Sequence, residues 1–252
     1  MEADTIIISI YSTLRENGFR GSVVIDSADT DVYTFAAYVS HQYPENLLIM
    51  RRQEFIDCRK LVENHMVDSI IPLHIITGCD STSAFFGKGK RNIFKKVCKS
   101  ERARLQLKYC GKELEIKEES IQQLMSFTRE VIYADLHTDS KGMSRAMKWQ
   151  SKKNKSFCTL PPDEDSLRNH IERCNYLAYI IMNPCLKNHP SPLGKGWELD
   201  KGVCKPQKYE NLPLPKDLPG LTTEEDELQI DVNSDDDTDE SSDEYDSSSD
   251  SD

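Results

Sequence analysis

The order of apolar segments along this chain predicts an α/β fold, with helices layered on a parallel sheet. Two observations carry that expectation. Short apolar runs at Ser22-Val23-Val24-Ile25 and Leu47-Leu48-Ile49-Met50 have the length and composition of strands buried on both faces. Segments with helical periodicity alternate with them, as they do in layered α/β structures.

Each element has its own signal. The first helix is expected over 5–16, with Ile6, Ile7, Ile10 and Leu14 near 3.6-residue spacing and Asn17-Gly18 as its stop. A strand over 23–25 runs into Asp26, Asp29 and Asp31, and a helix then continues through Val39. Leu47-Leu48-Ile49-Met50 is the next strand, Phe55-Ile56 a further one, and 59–66 reads as helical. The run Ile70-Ile71-Pro72-Leu73-His74-Ile75-Ile76 reads as a core element that delivers Asp80 at its end, with His74 as a core histidine. Beyond Lys112 the chain turns helical, and Ile121, Leu124, Met125, Phe127 and Val131 mark an apolar face over 116–133. Pro161-Pro162 interrupts the chain, and Asp163 or Asp165 can cap a helix reaching about Met182. His170 reads as a surface or packing residue of that helix. Residues 183–218 are rich in Pro and Gly and read as an arm on the surface, with Trp197 as its anchor.

Charge is distributed unevenly over the 252 residues. The segment 224–252 holds 15 of the 43 acidic residues and no Lys or Arg, which leaves 28 acids against 32 bases upstream. The formal charge of −11 thus combines a mildly basic body with an acidic tail. Such a tail has too little apolar surface to fold and is expected to be disordered, with basic proteins as its natural partners. In the body, Lys88, Lys90, Arg91, Lys95, Lys96, Lys99, Arg102, Arg104 and Lys108 share one window opposed only by Glu101. A cluster of that kind suits a phosphate backbone, with binding that weakens steeply as salt rises. The eight cysteines form no C-x-x-C pair, and no secretory leader precedes them, so they read as reduced thiols. No apolar run reaches the roughly 18–20 residues of a membrane span. The expectation is an intracellular protein, nuclear or cytoplasmic, without a membrane.

Two constellations could carry chemistry. The acidic series comprises Glu2 and Asp4, then Asp29 and Asp31, then Asp80. Hard cations such as Mg²⁺ or Mn²⁺ take oxygen ligands of this type, and paired ions drive phosphodiester hydrolysis. Asp29 has an alternative occupation as a helix N-cap. The second constellation is Gly87-Lys88-Gly89-Lys90, followed by Arg91, Lys95 and Lys96. Glycines there allow backbone amides to approach a phosphate, and the following helix N-terminus favours the anion.

Val24-Ile25-Asp26-Ser27-Ala28-Asp29-Thr30-Asp31-Val32, Gly78-Cys79-Asp80, the Gly-Lys-Gly-Lys stretch and the basic helix together resemble the PIN-like, flap-endonuclease superfamily. That resemblance implies a three-layer, Rossmann-like parallel sheet. It implies metal ligands at Glu2, Asp4, Asp29, Asp31 and Asp80, and a helix-hairpin-helix grip on structured duplex DNA through Gly87 and Gly89. More closely, the chain resembles a group of uncharacterised invertebrate proteins associated with mobile elements. The shared blocks are Thr77-Gly78-Cys79-Asp80-Ser81-Thr82-Ser83-Ala84-Phe85, the Leu-Pro-Pro-x-x-Asp-x-Leu-x-x-His stretch at 160–170, and Pro-Ser-Pro-x-Gly-x-Gly-Trp at 190–197. Family nucleases carry further strands and aspartates upstream of the first acidic pair, where this sequence begins, so the sheet is expected to lack its N-terminal part.

The resulting organisation is a partial core with a helix-hairpin-helix-like segment over 1–110, a helical extension over 111–185, an arm over 186–222 and a disordered tail over 223–252. Three functional readings follow. The first is a nuclease-related protein that contacts DNA, with no residue assigned to catalysis. The second is an active Mg²⁺-dependent, structure-specific endonuclease. The third is an interaction protein whose acidic tail binds basic partners.

Overall fold

The computed structural model describes residues 3–134 and 160–207. The fold is mixed α/β, with a three-stranded and a two-stranded sheet. The chain runs α1 (Ala3–Glu16), β1 (Val23–Asp26), α2 (Thr30–Ser40), β2 (Leu47–Arg51) and β3 (Glu54–Asp57). Then come two 3₁₀ turns, α3 (Val67–Ile76), α4 (Lys90–Lys99), α5 (Glu101–Leu107), α6 (Glu118–Phe127), a π-helical turn (Thr128–Ile132), α7 (Glu164–Met182) and the hairpin β4 (Trp197–Asp200) and β5 (Val203–Pro206). Among the described residues, no helix is long and apolar enough to cross a membrane.

The expected parallel pairing holds for β1 and β2, which pair Val23 with Leu47 and Ile25 with Ile49 across the α2 crossover. β3 instead runs antiparallel to β2. The two strands are joined only by Arg52 and Gln53, both at positive φ (47° and 69°), and a two-residue link of that hand permits only a hairpin.

The first helix forms where its periodicity places it, but it buries the other face. Ile8, Tyr11, Ser12 and Arg15 are buried, while Ile6, Ile10 and Leu14 are exposed. Arg15 explains the choice. Its guanidinium donates to the carbonyls of Phe19 (3.0 Å), Gly21 (2.7 Å) and Asn46 (3.2 Å), and it lies over the ring of Tyr11. Those carbonyls belong to the segments entering β1 and β2, so one buried cation ties α1 to the sheet. An apolar side chain at this position would lose three hydrogen bonds that tie α1 to the strand-entry segments.

The apolar run ending in Ile76 is a helix, buried from Ser69 onward on all sides. A helix of uniform apolarity belongs in the middle of a structure. α3 accordingly packs between α2, α5 and α7. The expected helix over 59–66 is two short 3₁₀ turns, Cys58–Leu61 and Asn64–Met66, because Val62 and Glu63 adopt extended dihedrals between them.

The second half closes over α3. Asp163, not Asp165, caps α7, accepting from the amide (2.8 Å) and hydroxyl (2.6 Å) of Ser166. The helix expected over 116–133 ends as α helix at Phe127 and continues as a π turn, where the Thr128 hydroxyl donates back to the Leu124 carbonyl (3.0 Å). Arg168 of α7 grips Glu118 of α6 with two 2.7 Å bonds. Asn175 of α7 accepts from the Gly111 amide (2.8 Å) and donates to the Glu113 carbonyl (2.9 Å). The described part of the arm, 183–207, docks through Gly196 more closely than through the half-buried Trp197. A Cβ on Gly196 would lie 2.4 Å from the Asn169 carbonyl oxygen. The seven described cysteines are free thiols. The expected disorder of the acidic tail and the expected C-terminal end of the arm at 222 lie outside the described residues.

Candidate metal and nucleic-acid site

The site begins where β1 ends. Ser27 accepts from the Asp29 amide (3.1 Å), and Asp29 Oδ1 accepts from the Asp31 amide (2.8 Å), a capping turn that starts α2. The capping role of Asp29 therefore coexists with a second one. With one carboxylate oxygen each, Asp4 from the first turn of α1, Asp29 and Asp31 come within 4.8 Å of one another. Two helix N-termini thus converge three acids at the carboxyl end of a parallel strand, where open α/β sheets gather ligands.

His74 of α3 closes the site from below. It is 6 % exposed, and its Nε2 lies 3.3 Å from Asp31 Oδ2, with an alignment that falls short of a formed hydrogen bond. Its Nδ1 lies 3.3 Å from Lys90 Nζ. An ammonium can only donate, so Nδ1 must accept; the imidazole is then neutral and carries its proton on Nε2, toward Asp31. Burial and, next, the Lys90 charge hold the His74 pKa below its ordinary value against the opposing pull of Asp31. Lys90 is also lowered, chiefly by desolvation, while Asp31, Cys79 and Asp80 favour its charge.

Asp80 does not join the trio. Gly78, at φ +106°, reverses the chain, and the Thr82 hydroxyl donates to the Ile75 carbonyl (2.7 Å), closing a tight turn with Asp80 exposed at its tip. Its carboxylate favours the charged form of Lys90. Glu2 precedes the described residues.

The Gly-Lys-Gly-Lys stretch is a turn leading into α4, with Gly87 at φ +67° and Gly89 at the helix N-cap. Its cations divide by role. Lys90 reaches inward to His74, Lys88 lies over the Tyr133 ring (5.2 Å to the centroid), and Lys96 donates to the Val131 carbonyl (3.1 Å). Arg91 and Lys95 are exposed on the face opposite the buried Ile93 and Val97, with Lys99 one turn further on. Among the described residues, no carboxylate pairs with these three.

Comparison of the chain with family models, curated proteins and solved structures returns no match.

Sequence reasoning treated His74 as packing and Lys90 as a phosphate contact, and so missed the link between them. The only available signal was a histidine inside an apolar run, which ordinary core packing explains equally well. Three carboxylate oxygens, from Asp4, Asp29 and Asp31, form a hard donor set suited to Mg²⁺ or Mn²⁺. The residues therefore fit such an ion.

Proposed function

We propose that this chain is a nuclease-related, PIN-like protein that holds a divalent cation at Asp4, Asp29 and Asp31 and contacts a DNA backbone through the face of α4. The observation that carries the reading is the convergence of those three carboxylates from two helix starts, joined through His74 and Lys90 to the head of the basic helix. Mg²⁺ or Mn²⁺ bound there would activate a water and stabilise charge on a phosphodiester. Asp4, Asp29 and Asp31 hold the ion, His74 lies against Asp31, and Lys90 couples the acid cluster to the turn that starts α4. Arg91, Lys95 and Lys99 recur every four residues, about 6 Å apart along the helix, so they form a single stripe for phosphates.

The test is a titration of Mn²⁺ by its electron paramagnetic resonance signal, with native protein and with Asp29→Asn and Asp31→Asn. Native protein should sequester the ion, and each variant should bind it at least tenfold more weakly. Equal binding by all three proteins refutes the site. Salt dependence of DNA binding tests the stripe: Arg91→Ala and Lys95→Ala should each lower the logarithmic salt slope by about 1. Incubation with nicked and flap duplexes in Mg²⁺ reads turnover directly.

A further inference from the structure

We infer that Phe86 is a base-stacking residue, and that the nucleic acid bound along α4 presents an unpaired nucleotide to it. This rests on the nucleic-acid reading proposed above and names its substrate class: single-stranded DNA, or a single strand adjoining a duplex.

Phe85 and Phe86 are neighbours with opposite fates. Phe85 is 9 % exposed, packed edge-on against Tyr133 (5.9 Å between centroids) and His170 (5.3 Å). Phe86 is 64 % exposed. Between them and α4 the chain makes a tight turn in which the Lys88 amide donates to the Phe85 carbonyl (3.0 Å), with Gly87 supplying the positive φ such a turn needs at its third position. Lys88 is held on the other side by the Tyr133 ring. The turn is therefore anchored on both flanks and presents one aromatic side chain outward at its tip.

An exposed phenylalanine gives up the stabilisation that burial would bring, and among the described residues no ring or cation packs on this one. What surrounds it narrows the ligand. Arg91 follows five residues on, and the exposed Arg91–Lys95–Lys99 stripe starts at the same end of α4. A ligand that suits a flat apolar ring beside a line of cations has a π face and a polyanionic backbone, which describes an unpaired nucleotide. In a duplex the bases are already stacked on one another and are closed to this ring, unless the strand frays or ends there.

The experiment measures fluorescence anisotropy with an oligothymidine, a blunt duplex of the same length, and inorganic polyphosphate as a ligand with charge but no base. Native protein is compared with Phe86→Ala and Phe86→Leu, with thermal unfolding as the folding control. The expected result is tighter binding of the oligothymidine than of the duplex. Phe86→Ala should weaken oligothymidine binding by roughly 5- to 100-fold, with Phe86→Leu close to it. Polyphosphate binding should change less than about twofold, because its term is purely electrostatic. Equal oligothymidine affinity in native protein and Phe86→Ala overturns the inference and leaves the proposed cation site and basic stripe standing. Equal weakening toward oligothymidine and polyphosphate also overturns it, since the turn would then only position charge. Failure of native protein to bind any of the three ligands removes the parent reading, and this one with it.

Discussion

His170 should make the stability of this protein depend on pH within a definite window. The ring is buried, its Nε2 lies 3.0 Å from the Ile76 carbonyl, and Phe85 and Cys174 enclose it. Nε2–H is the donor in that bond, so the neutral ring is satisfied, whereas a second proton would need an acceptor at Nδ1. Burial therefore lowers the pKa from 6.5 to about 4, against the smaller opposing effect of the Ile76 bond. The unfolded chain takes up the proton near 6.5 and the folded one refuses it until about 4. Stability is thus fully present above 6.5, declines as pH falls below it, and reaches its full loss at about 4. At about 1.4 kcal/mol per pH unit, the interval corresponds to about 3 kcal/mol. The assay is urea unfolding followed by circular dichroism across that window, for native protein and His170→Gln, whose amide can still donate to Ile76. Acid carboxylates and His74 contribute to both proteins, so the difference between the two curves isolates His170. Curves that run parallel from above 6.5 down to about 4 would refute the reasoning.

Three further outcomes follow from geometry already described. Gly78→Ala should cost about 3 kcal/mol or more, measured by thermal or urea unfolding, because a Cβ there meets the Ala84 backbone at 2.7 Å with φ at +106°. Arg15→Lys should cost about 2 kcal/mol in the same assay, since an ammonium cannot span the carbonyls of Phe19, Gly21 and Asn46, while the exposed Arg20→Lys should change little. Asp31→Asn should lower the pKa of His74 further, read by NMR titration of the ring, because the Asp31 charge is the principal influence raising it.

Much of the frame was legible because local signals and tertiary packing agreed. The 23–26 strand, the helix after Asp29, the 47–51 strand and the helix from Asp163 all appear where their patterns place them. Disagreement arose where one polar group outweighed a pattern. Ile6, Ile10 and Leu14 spelled a buried face for α1, yet Arg15 turned the helix around because three carbonyls elsewhere in the chain required a donor. The acidic cluster was partly legible: Asp4, Asp29 and Asp31 meet, and each stands at a helix start. Asp80 separates from them through a reversal at Gly78 that depends on close contact with Ala84, and spacing alone does not encode such contact. The inward turn of Lys90 depended on His74, sixteen residues away on another helix, which no local window contains.

α3 has a consequence for how the chain becomes a protein. It is buried on all sides from Ser69 onward, and part of its cover is α7: His170 meets the Ile76 carbonyl across 94 residues of sequence, and Cys174 meets that of Ile75 across 99. During synthesis, α3 leaves the ribosome long before the helix that shields it. Until α7 arrives, the emerging chain carries an uncovered run of Ile70, Ile71, Leu73, Ile75 and Ile76, the kind of surface that holding chaperones capture. Late closure over such a span also makes for slow folding. The yield of native protein should then depend on when α7 arrives as well as on how well it fits.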